Sequence, residues 1–210
     1  GFFTMVMGND VYLDEYWIDQ TEVTNQMYAK CVDAGECEPP NTKSSDSRVY
    51  YYRNPRYYEY PVLNVSWYDA HNYCIWTKRN LPTEEEWEQA ARGGLNGKIY
   101  PWGDEEPVCE YGAENGANFT GFMCPSSDTK KVASYSPNGY GLYDMAGNVS
   151  EWTSTVDIVL LSDANIEGRV HRGGSWGSHY IFLGSGFRLP RAEPSFSNDT
   201  IGFRCSLSLP

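Results

Sequence analysis

The sequence has few histidines, few basic residues and no long apolar run, and each shortage excludes a class of protein. Its three histidines are scattered, at His71, His171 and His179, so no histidine-based metal cluster is predicted. Because 16 Lys and Arg face 28 Asp and Glu, the formal net charge is −12, and we expect no nucleic-acid partner. The longest apolar run, in "DIVLLSD", is too short to cross a bilayer, so we expect no membrane insertion by this chain.

Six cysteines occur without a CxxC pair, which argues against a zinc site. An even number at wide spacing predicts up to three disulfides, with buried free thiols as the alternative. The close pairs Cys31/Cys37 and Cys109/Cys124 flank turn-rich segments, which favours disulfides. We therefore expect an extracellular or periplasmic protein, secreted or on the cell surface. The opening "GFFTMVMG" lacks the basic residues and apolar core of a signal peptide.

Regular secondary structure is predicted mainly in the first half of the chain. Apolar spacing and N-cap residues such as Ser66 and Thr83 indicate helices in "TEVTNQMYAKCVDAG", "SWYDAHNYCIWTKRN" and "LPTEEEWEQAARGG". The alternation in "VYLDEYWI" predicts one strand. Beyond residue 93, turns separate short strand-like segments. There is no internal repeat and no boundary in composition, so we expect one α+β domain over residues 1–210.

Six blocks of sequence, taken in order, resemble the formylglycine-generating enzyme, or sulfatase-modifying-factor, family. They are "DEYWIDQTEVTN", "YPVLNVSWYDAHNYCIWTKRNLPTEEEWEQAARGG", "YPWGDEEP", "SPNGYGLYDMAGNVSEWTS", "RGGSW" and "IGFRC". The resemblance implies a loop-rich C-type lectin-like fold of the α+β class, with two main helices plus short antiparallel strands. It also implies a Cys74–Cys205 disulfide, which leaves Cys31–Cys37 and Cys109–Cys124 to pair by proximity.

The enzymes of this family oxidise a substrate cysteine with two cysteines that hold copper after the "GGS" turn. In this sequence those positions fall on Ser178 and Leu183, which cannot act as thiolates, so we expect no copper and no family catalysis. Thr200 stands where the enzymes have asparagine. Ser178 and His179 are adjacent, which on a strand points them to opposite faces, and nucleophilic catalysis is not expected. The HxxxH pattern of iron-dependent relatives is absent.

Calcium is the cofactor that the resemblance implies, in a structural role. The loop "GNVSEW" would bind it through Asn148, the backbone carbonyl of Val149, and Glu151. The alternative is an Asx-type turn with Glu151 as a surface acid. A second set of ligands would be Asn118, the carbonyl of Phe119, and Asp128.

The block 176–200 replaces the polar residues usual in the family with apolar ones, which favours a ligand-binding surface. The predicted ligand-binding residues are Trp152, Ser175, Trp176, Ser178, His179, Tyr180, Phe182, Arg188 and Phe196. The tyrosine-rich loop 49–61 is either a contact surface or a loop packed by its own side chains.

We therefore predict a non-catalytic binding or display module with a protein or glycan ligand and, as a further expectation, self-association. Three alternatives stay open. They are a formylglycine-generating-type oxidoreductase with a substituted site, a structural subunit of an extracellular assembly, and a retroelement-diversified variable ligand-binding protein.

Overall fold

Short helices and strands separated by long loops make up the chain. A computed structural model describes residues 2–5, 10–122, 124–160 and 165–209. Its helices and strands are, in order, β1 Phe2–Thr4, β2 Asp10–Tyr12, β3 Tyr16–Ile18, α1 Asn25–Asp33, α2 Trp67–Trp76, α3 Glu84–Arg92, β4 Thr120–Gly121, β5 Cys124–Pro125, β6 Ser150–Leu160, β7 Asn165–Arg172, β8 Ile201–Gly202 and β9 Ser206–Ser208. The predicted α+β class is confirmed, and helices form in all three predicted segments, where the family resemblance implied two main ones.

The helices begin where their capping residues place them. The Ser66 side chain accepts a hydrogen bond from the backbone N–H of Asp69, whose carboxylate accepts one from the N–H of Ser66. Thr83 and Glu86 form the same reciprocal box at the start of α3. Two otherwise unpaired N–H groups are satisfied in each box, which fixes both helix starts as predicted. Gly93 ends α3 in the left-handed conformation, at φ +56°.

The single strand predicted in "VYLDEYWI" is wrong. Its two ends belong to different sheets, since β2 pairs with β1 while β3 pairs with β9, both antiparallel. Residues 13–15 leave the extended pairing so that each end can reach its own partner strand. The alternation of apolar and polar residues predicts extended backbone but does not identify which strand pairs with it.

The central sheet has the order β7–β6–β8, with β7 antiparallel and β8 parallel to β6. The register of β6 against β7 shifts between Trp152 and Val156. Directly after β7 the chain turns at Gly173 and Gly174, both with positive φ. A Cβ on Gly174 would lie 2.6 Å from Cδ2 of Leu183, so only glycine fits this close approach. The turn positions the start of the 176–200 block.

All six cysteines form disulfides, in the three predicted pairs. Cys74–Cys205 joins α2 to the segment between β8 and β9 across 131 residues of sequence. Closing so long a loop stabilises the fold by about 5 kcal/mol in the chain-entropy treatment. Three disulfides are typical of an oxidising compartment and indicate a non-cytosolic location. Among the described residues, no helix has the length and apolar character needed to span a membrane.

Candidate binding site

The turn after β7 is closed by two serines. Ser178 Oγ accepts a hydrogen bond from the backbone N–H of Ser175 at 3.0 Å and lies 3.2 Å from Ser175 Oγ. The N–H of Trp176 donates to the carbonyl oxygen of Asn148 at 2.8 Å, which ties the turn to the loop before β6. The Ser178 hydroxyl therefore serves the backbone of its own turn.

The second position implied for a copper-binding cysteine lies in the core. Leu183 has no exposed surface and packs in an apolar cluster with Tyr100, Phe119 and Cys124. Copper(I) prefers sulfur ligands. A hydrogen-bonded hydroxyl at Ser178 and a buried alkyl group at Leu183 do not fit that ion.

The predicted ligand-binding residues divide into core and surface. Trp152 is a correction, because it is completely buried and its indole N–H donates to the carbonyl oxygen of Val65 at 3.2 Å. It is therefore a core residue that no surface ligand can reach. Ser175 is also buried, 4% exposed, and belongs to the turn. His179 is exposed, and its ring lies 4.3 Å from that of Tyr180.

The rest of the block presents a mixed apolar and polar surface. Trp176 is half-buried, and its indole N–H donates to the carbonyl oxygen of Asp199 at 2.8 Å, which joins the two ends of the block. Phe182 is half-buried against Phe187, with ring centroids 5.1 Å apart. Phe196 is 44% exposed. The block is thus closed on itself and keeps part of its aromatic surface in contact with solvent.

Arg188, one of the predicted ligand-binding residues, belongs to a chain of ion pairs that joins this block to α3, and its side chain is 32% exposed. Its Nε lies 2.9 Å from Glu84 Oε1 in α3. Arg172, at the end of β7, bridges Glu84 at 3.2 Å and Glu88 at 2.7 Å. Glu88 also holds Arg92, at 2.8 Å.

The centre of this network is buried. The side chains of Arg172 and Glu88 are 1% and 2% exposed. Burial lowers the pKa of Arg172, while the charges of Glu88 and Glu84 oppose that shift. Arg172 Nη2 also donates to the carbonyl oxygen of Ser185 at 2.9 Å, inside the block. The network therefore fixes the block to α3, and Arg188 positions this surface.

A cleft of about 680 Å³ separates the block from the loop 96–99. Its walls are mostly apolar, with Ile99 from the loop and Ile181 and Phe187 from the block. Gly184 lies in its lining, where a Cβ would come within 3.4 Å of the Ile99 carbonyl oxygen. Sequence reasoning missed Ile99, because nothing in "NGKIY" indicates a neighbour more than 80 positions later. The hydrogen bond from Ser185 N–H to the Ile99 carbonyl, at 2.8 Å, creates this proximity.

Glu151, predicted as a calcium ligand, is completely buried, so the alternative of a surface acid is wrong. Its Oε1 accepts from Arg204 Nη2 at 2.7 Å. Its Oε2 accepts from Arg204 Nε and from Trp87 Nε1, each at 2.7 Å. Both oxygens are therefore occupied by N–H donors from two neighbouring side chains.

Asn148 and Val149 lie in the same loop but face a different acid. The Asn148 side-chain amide donates to Glu22 Oε2 at 2.7 Å, and the N–H of Val149 donates to Glu22 Oε1 at 3.2 Å. The Asn148 side-chain oxygen accepts from the N–H of Lys130 at 2.8 Å. The Asn148 side chain of the first predicted ligand set is thus hydrogen-bonded to protein groups, as the Glu151 carboxylate is.

Glu22 is a buried acid that the sequence did not single out. Burial raises its pKa well above the ordinary value, the charges of Asp144 and Glu151 raise it further, and Arg204 opposes them. Burial also raises the pKa of the half-buried Asp144 to about 6, although Asp144 accepts from the N–H of Ala133 at 2.7 Å. The carboxyl groups of Glu22, Asp144 and Glu151 thus all interact with the charge of Arg204.

The second predicted calcium set is brought together. The Asn118 amide donates to the carbonyl oxygen of Asp128 at 3.1 Å, and its own oxygen accepts from Ser126 Oγ at 2.7 Å. Phe119 is 4% exposed and packs in the apolar cluster around Leu183. No three His, Cys, Asp or Glu side chains of the described segments are grouped as metal ligands. Calcium stays a prediction at both sets.

Residues 5–209 match the family model described as the sulfatase-modifying factor enzyme 1-like domain. The chain belongs to the sulfatase-modifying-factor family. Among its relatives, inactive C-alpha-formylglycine-generating enzyme 2 of Bos taurus is 40% identical over 166 residues, which cover 70% of this chain and 50% of that protein. The formylglycine-generating enzyme of Streptomyces coelicolor is 38% identical over 169 residues, covering 70% and 52%.

A third relative in the family, serine/threonine-protein kinase pkn1 of Chlamydia pneumoniae, is 36% identical over 221 residues, covering 95% of this chain and 34% of the kinase. The chain therefore spans about half, or less, of the length of these curated relatives. Because the relatives include proteins named as enzymes and as inactive, likeness alone leaves the catalytic state of this family member open.

Solved structures agree with the family fold. PvdO of Pseudomonas aeruginosa superimposes with a TM-score of 0.75 at 28% identity, covering 100% of this chain and 92% of PvdO. Treponema denticola variable protein 1 superimposes with a TM-score of 0.71 at 24% identity, covering 96% and 87%, which supports the fold alone. The predicted C-type lectin-like fold of the family is confirmed.

Proposed function

We propose that this chain is a non-catalytic binding module that acts outside the cytoplasm. The observation that carries the proposal is the state of the two positions where the family enzymes hold copper. Ser178 is hydrogen-bonded into its own turn, and Leu183 is fully buried. All six cysteines are committed to disulfides. The chain has no thiol to supply the oxidation chemistry.

The ligand surface is the 176–200 block together with the adjoining cleft. Ile99 and Ile181 are 54% and 52% exposed at the cleft, which the polar residues Asn96 and Lys98 also line. An apolar cleft bordered by polar groups is typical of an interaction site for a protein or a glycan. The ion pairs under the block hold it in one shape, which lowers the entropic cost of binding.

The catalytic alternative is tested directly. The purified protein is incubated with copper(I), oxygen and a sulfatase-motif peptide that contains cysteine, and the peptide is followed by mass spectrometry. The formylglycine-generating enzyme of Streptomyces coelicolor is the parallel positive control. We expect the peptide cysteine to remain unmodified by this protein. Conversion above the metal-only blank would overturn the assignment as a non-catalytic module.

The ligand surface is tested with a matched pair of substitutions. Ile181→Ser alters the cleft, whereas Ile158→Ser alters an equally exposed isoleucine on β6, 55% against 52% exposed. Wild type is screened against a glycan array and a peptide library, and its strongest hits are measured with both variants. We expect Ile181→Ser to weaken them about tenfold or more and Ile158→Ser to leave them unchanged. Equal affinity for both variants would place the ligand elsewhere.

Self-association is tested separately on the same purified protein. A structural subunit should give particles that grow with concentration in light scattering, because exposed aromatic surface would be buried between copies. A monomer at high concentration would argue against that alternative and leave the binding module in place.

A further inference from the structure

The side chain of Asp128 is a buried anion whose acceptor sites are filled. It is 3% exposed. Oδ2 accepts from Ser45 Oγ at 2.6 Å and from the N–H and Oγ of Ser47 at 3.0 and 2.6 Å. Oδ1 accepts from the N–H of Thr129 at 2.7 Å and from its Oγ1 at 3.3 Å. A carboxylate offers about four lone-pair directions, so these five contacts already satisfy it as an acceptor.

The positive charge at this anion comes from Arg48. Its Nη1 lies 2.9 Å from Asp128 Oδ1 and donates to Thr129 Oγ1 at 3.0 Å. Its Nη2 donates to the carbonyl oxygen of Thr129 at 2.9 Å. The guanidinium thus contacts a hydroxyl together with a carboxylate and a backbone carbonyl, and the last two are kinds of oxygen that calcium prefers.

Aromatic rings enclose the other side of the same guanidinium. Its carbon lies 5.6, 4.9 and 5.0 Å from the ring centroids of Tyr51, Tyr57 and Tyr60. The three rings also pack on each other, Tyr51 stacked on Tyr57 at 5.4 Å and Tyr60 edge-on to Tyr57 at 5.3 Å. A cation over aromatic faces is stabilised further, and more so when water is excluded. The tyrosine-rich loop is therefore packed by its own side chains around this arginine.

We propose that Arg48 is a built-in cation that takes the place of calcium at Asp128, the acidic member of the second predicted ligand set. Calcium needs six to eight oxygen ligands at about 2.3–2.6 Å. Here the Asn118 side-chain oxygen accepts from Ser126, and both oxygens of Asp128 are bonded to protein donors. The guanidinium supplies the charge that a metal would bring, and it fixes loop 45–60 to residues 128–129.

This substitution changes how the site responds to its surroundings. Stabilisation by a bound ion rises and falls with the free ion concentration, whereas a side chain is always present. The Asp128 region should therefore keep its structure when calcium is scarce or a chelator is added. The inference concerns this ligand set alone and does not depend on the proposed binding function.

The test compares Arg48→Met, which removes the charge, with Arg48→Lys, which keeps the charge but lacks the planar guanidinium group. Arg56→Met, an exposed arginine of the same loop, is the control. In EDTA we expect Arg48→Met to lower Tm by on the order of 10 °C, Arg48→Lys by less, and Arg56→Met not measurably. Equal Tm values for Arg48→Met and wild type would overturn the proposal.

Calcium occupancy is measured on the wild-type protein itself, so the result does not depend on a variant that folds. Crystals grown with millimolar calcium are examined for anomalous density. We expect no ion within 3 Å of Asp128. An ion coordinated by Asp128 would overturn the proposal, whatever the stability of the variants.

Discussion

Glu88→Gln is the substitution that tests the ion-pair network most sharply. It keeps the size of the side chain and removes one charge at a position 2% exposed. In the wild type, Glu88 Oε1 holds Arg92 at 2.8 Å and Oε2 holds Arg172 at 2.7 Å. Without that charge, Arg172 depends on Glu84, which already pairs with Arg188, and Arg92 loses the ion pair that Glu88 provides.

The expected loss follows from this imbalance. Removing one partner of a buried ion pair costs about 3–5 kcal/mol, since the remaining charge is left desolvated. Arg172→Met should cost less, about 1–3 kcal/mol, because Glu84 then keeps Arg188 and Glu88 keeps Arg92. We thus expect Glu88→Gln to lower the free energy of unfolding more than Arg172→Met does.

Urea unfolding followed by tryptophan fluorescence measures the free energy of unfolding. An unchanged m-value would show that wild type and variant expose the same amount of surface on unfolding. Glu85→Gln, half-exposed in the first turn of the same helix, is the control and should cost less than about 1 kcal/mol. Hydrogen exchange should show faster exchange at residues 183–188 in Glu88→Gln alone. Equal stabilities of Glu88→Gln and Glu85→Gln would refute the network.

Four further predictions concern pH, disulfides and calcium. Burial raises the pKa of Asp144 to about 6, so its ionisation destabilises the fold as pH rises, and wild type should gain Tm over Asp144→Asn as pH falls from 7 to 4. Burial lowers the pKa of His171 from 6.5 to about 4, so His171→Gln should gain over wild type as pH falls through that window. Replacing Cys74 and Cys205 together by serine should cost about 4–5 kcal/mol in urea unfolding; a loss below about 1 kcal/mol would contradict the loop-closure argument. Because protein donors hold both oxygens of Glu151, chelation should leave Tm unchanged, whereas a calcium-dependent rise in Tm that is lost in Glu151→Gln would support calcium at the first predicted ligand set.

Local chemistry predicted the helix starts and much of the cysteine pairing. Ser66 and Thr83 bond to groups only three residues away, so the neighbouring sequence is enough to predict their role as N-caps. The Cys31–Cys37 and Cys109–Cys124 pairs are short-range as well. Cys74–Cys205 required the family resemblance, because spacing alone does not select a partner 131 residues away.

The candidate site was less predictable because its parts meet only through tertiary contacts. Trp152 sits in an alternating strand, and the pattern does not say which face the shifted register of β6 turns inward. Glu84 and Glu88 stand one helical turn apart, a spacing that indicates a shared face but not the arginine on β7 that they bind. No pattern in the sequence around Ile99 indicated that this residue lines the cleft.

Leu183 and Ser178 are unequal obstacles to thiolate chemistry. Ser178 is half-buried, and a cysteine there differs by one atom. Leu183 fills a closed apolar space beneath Gly174, so a cysteine would leave a void and cost about 2 kcal/mol. Placing a thiol at both positions would therefore lower the free energy of unfolding mainly through the change at residue 183.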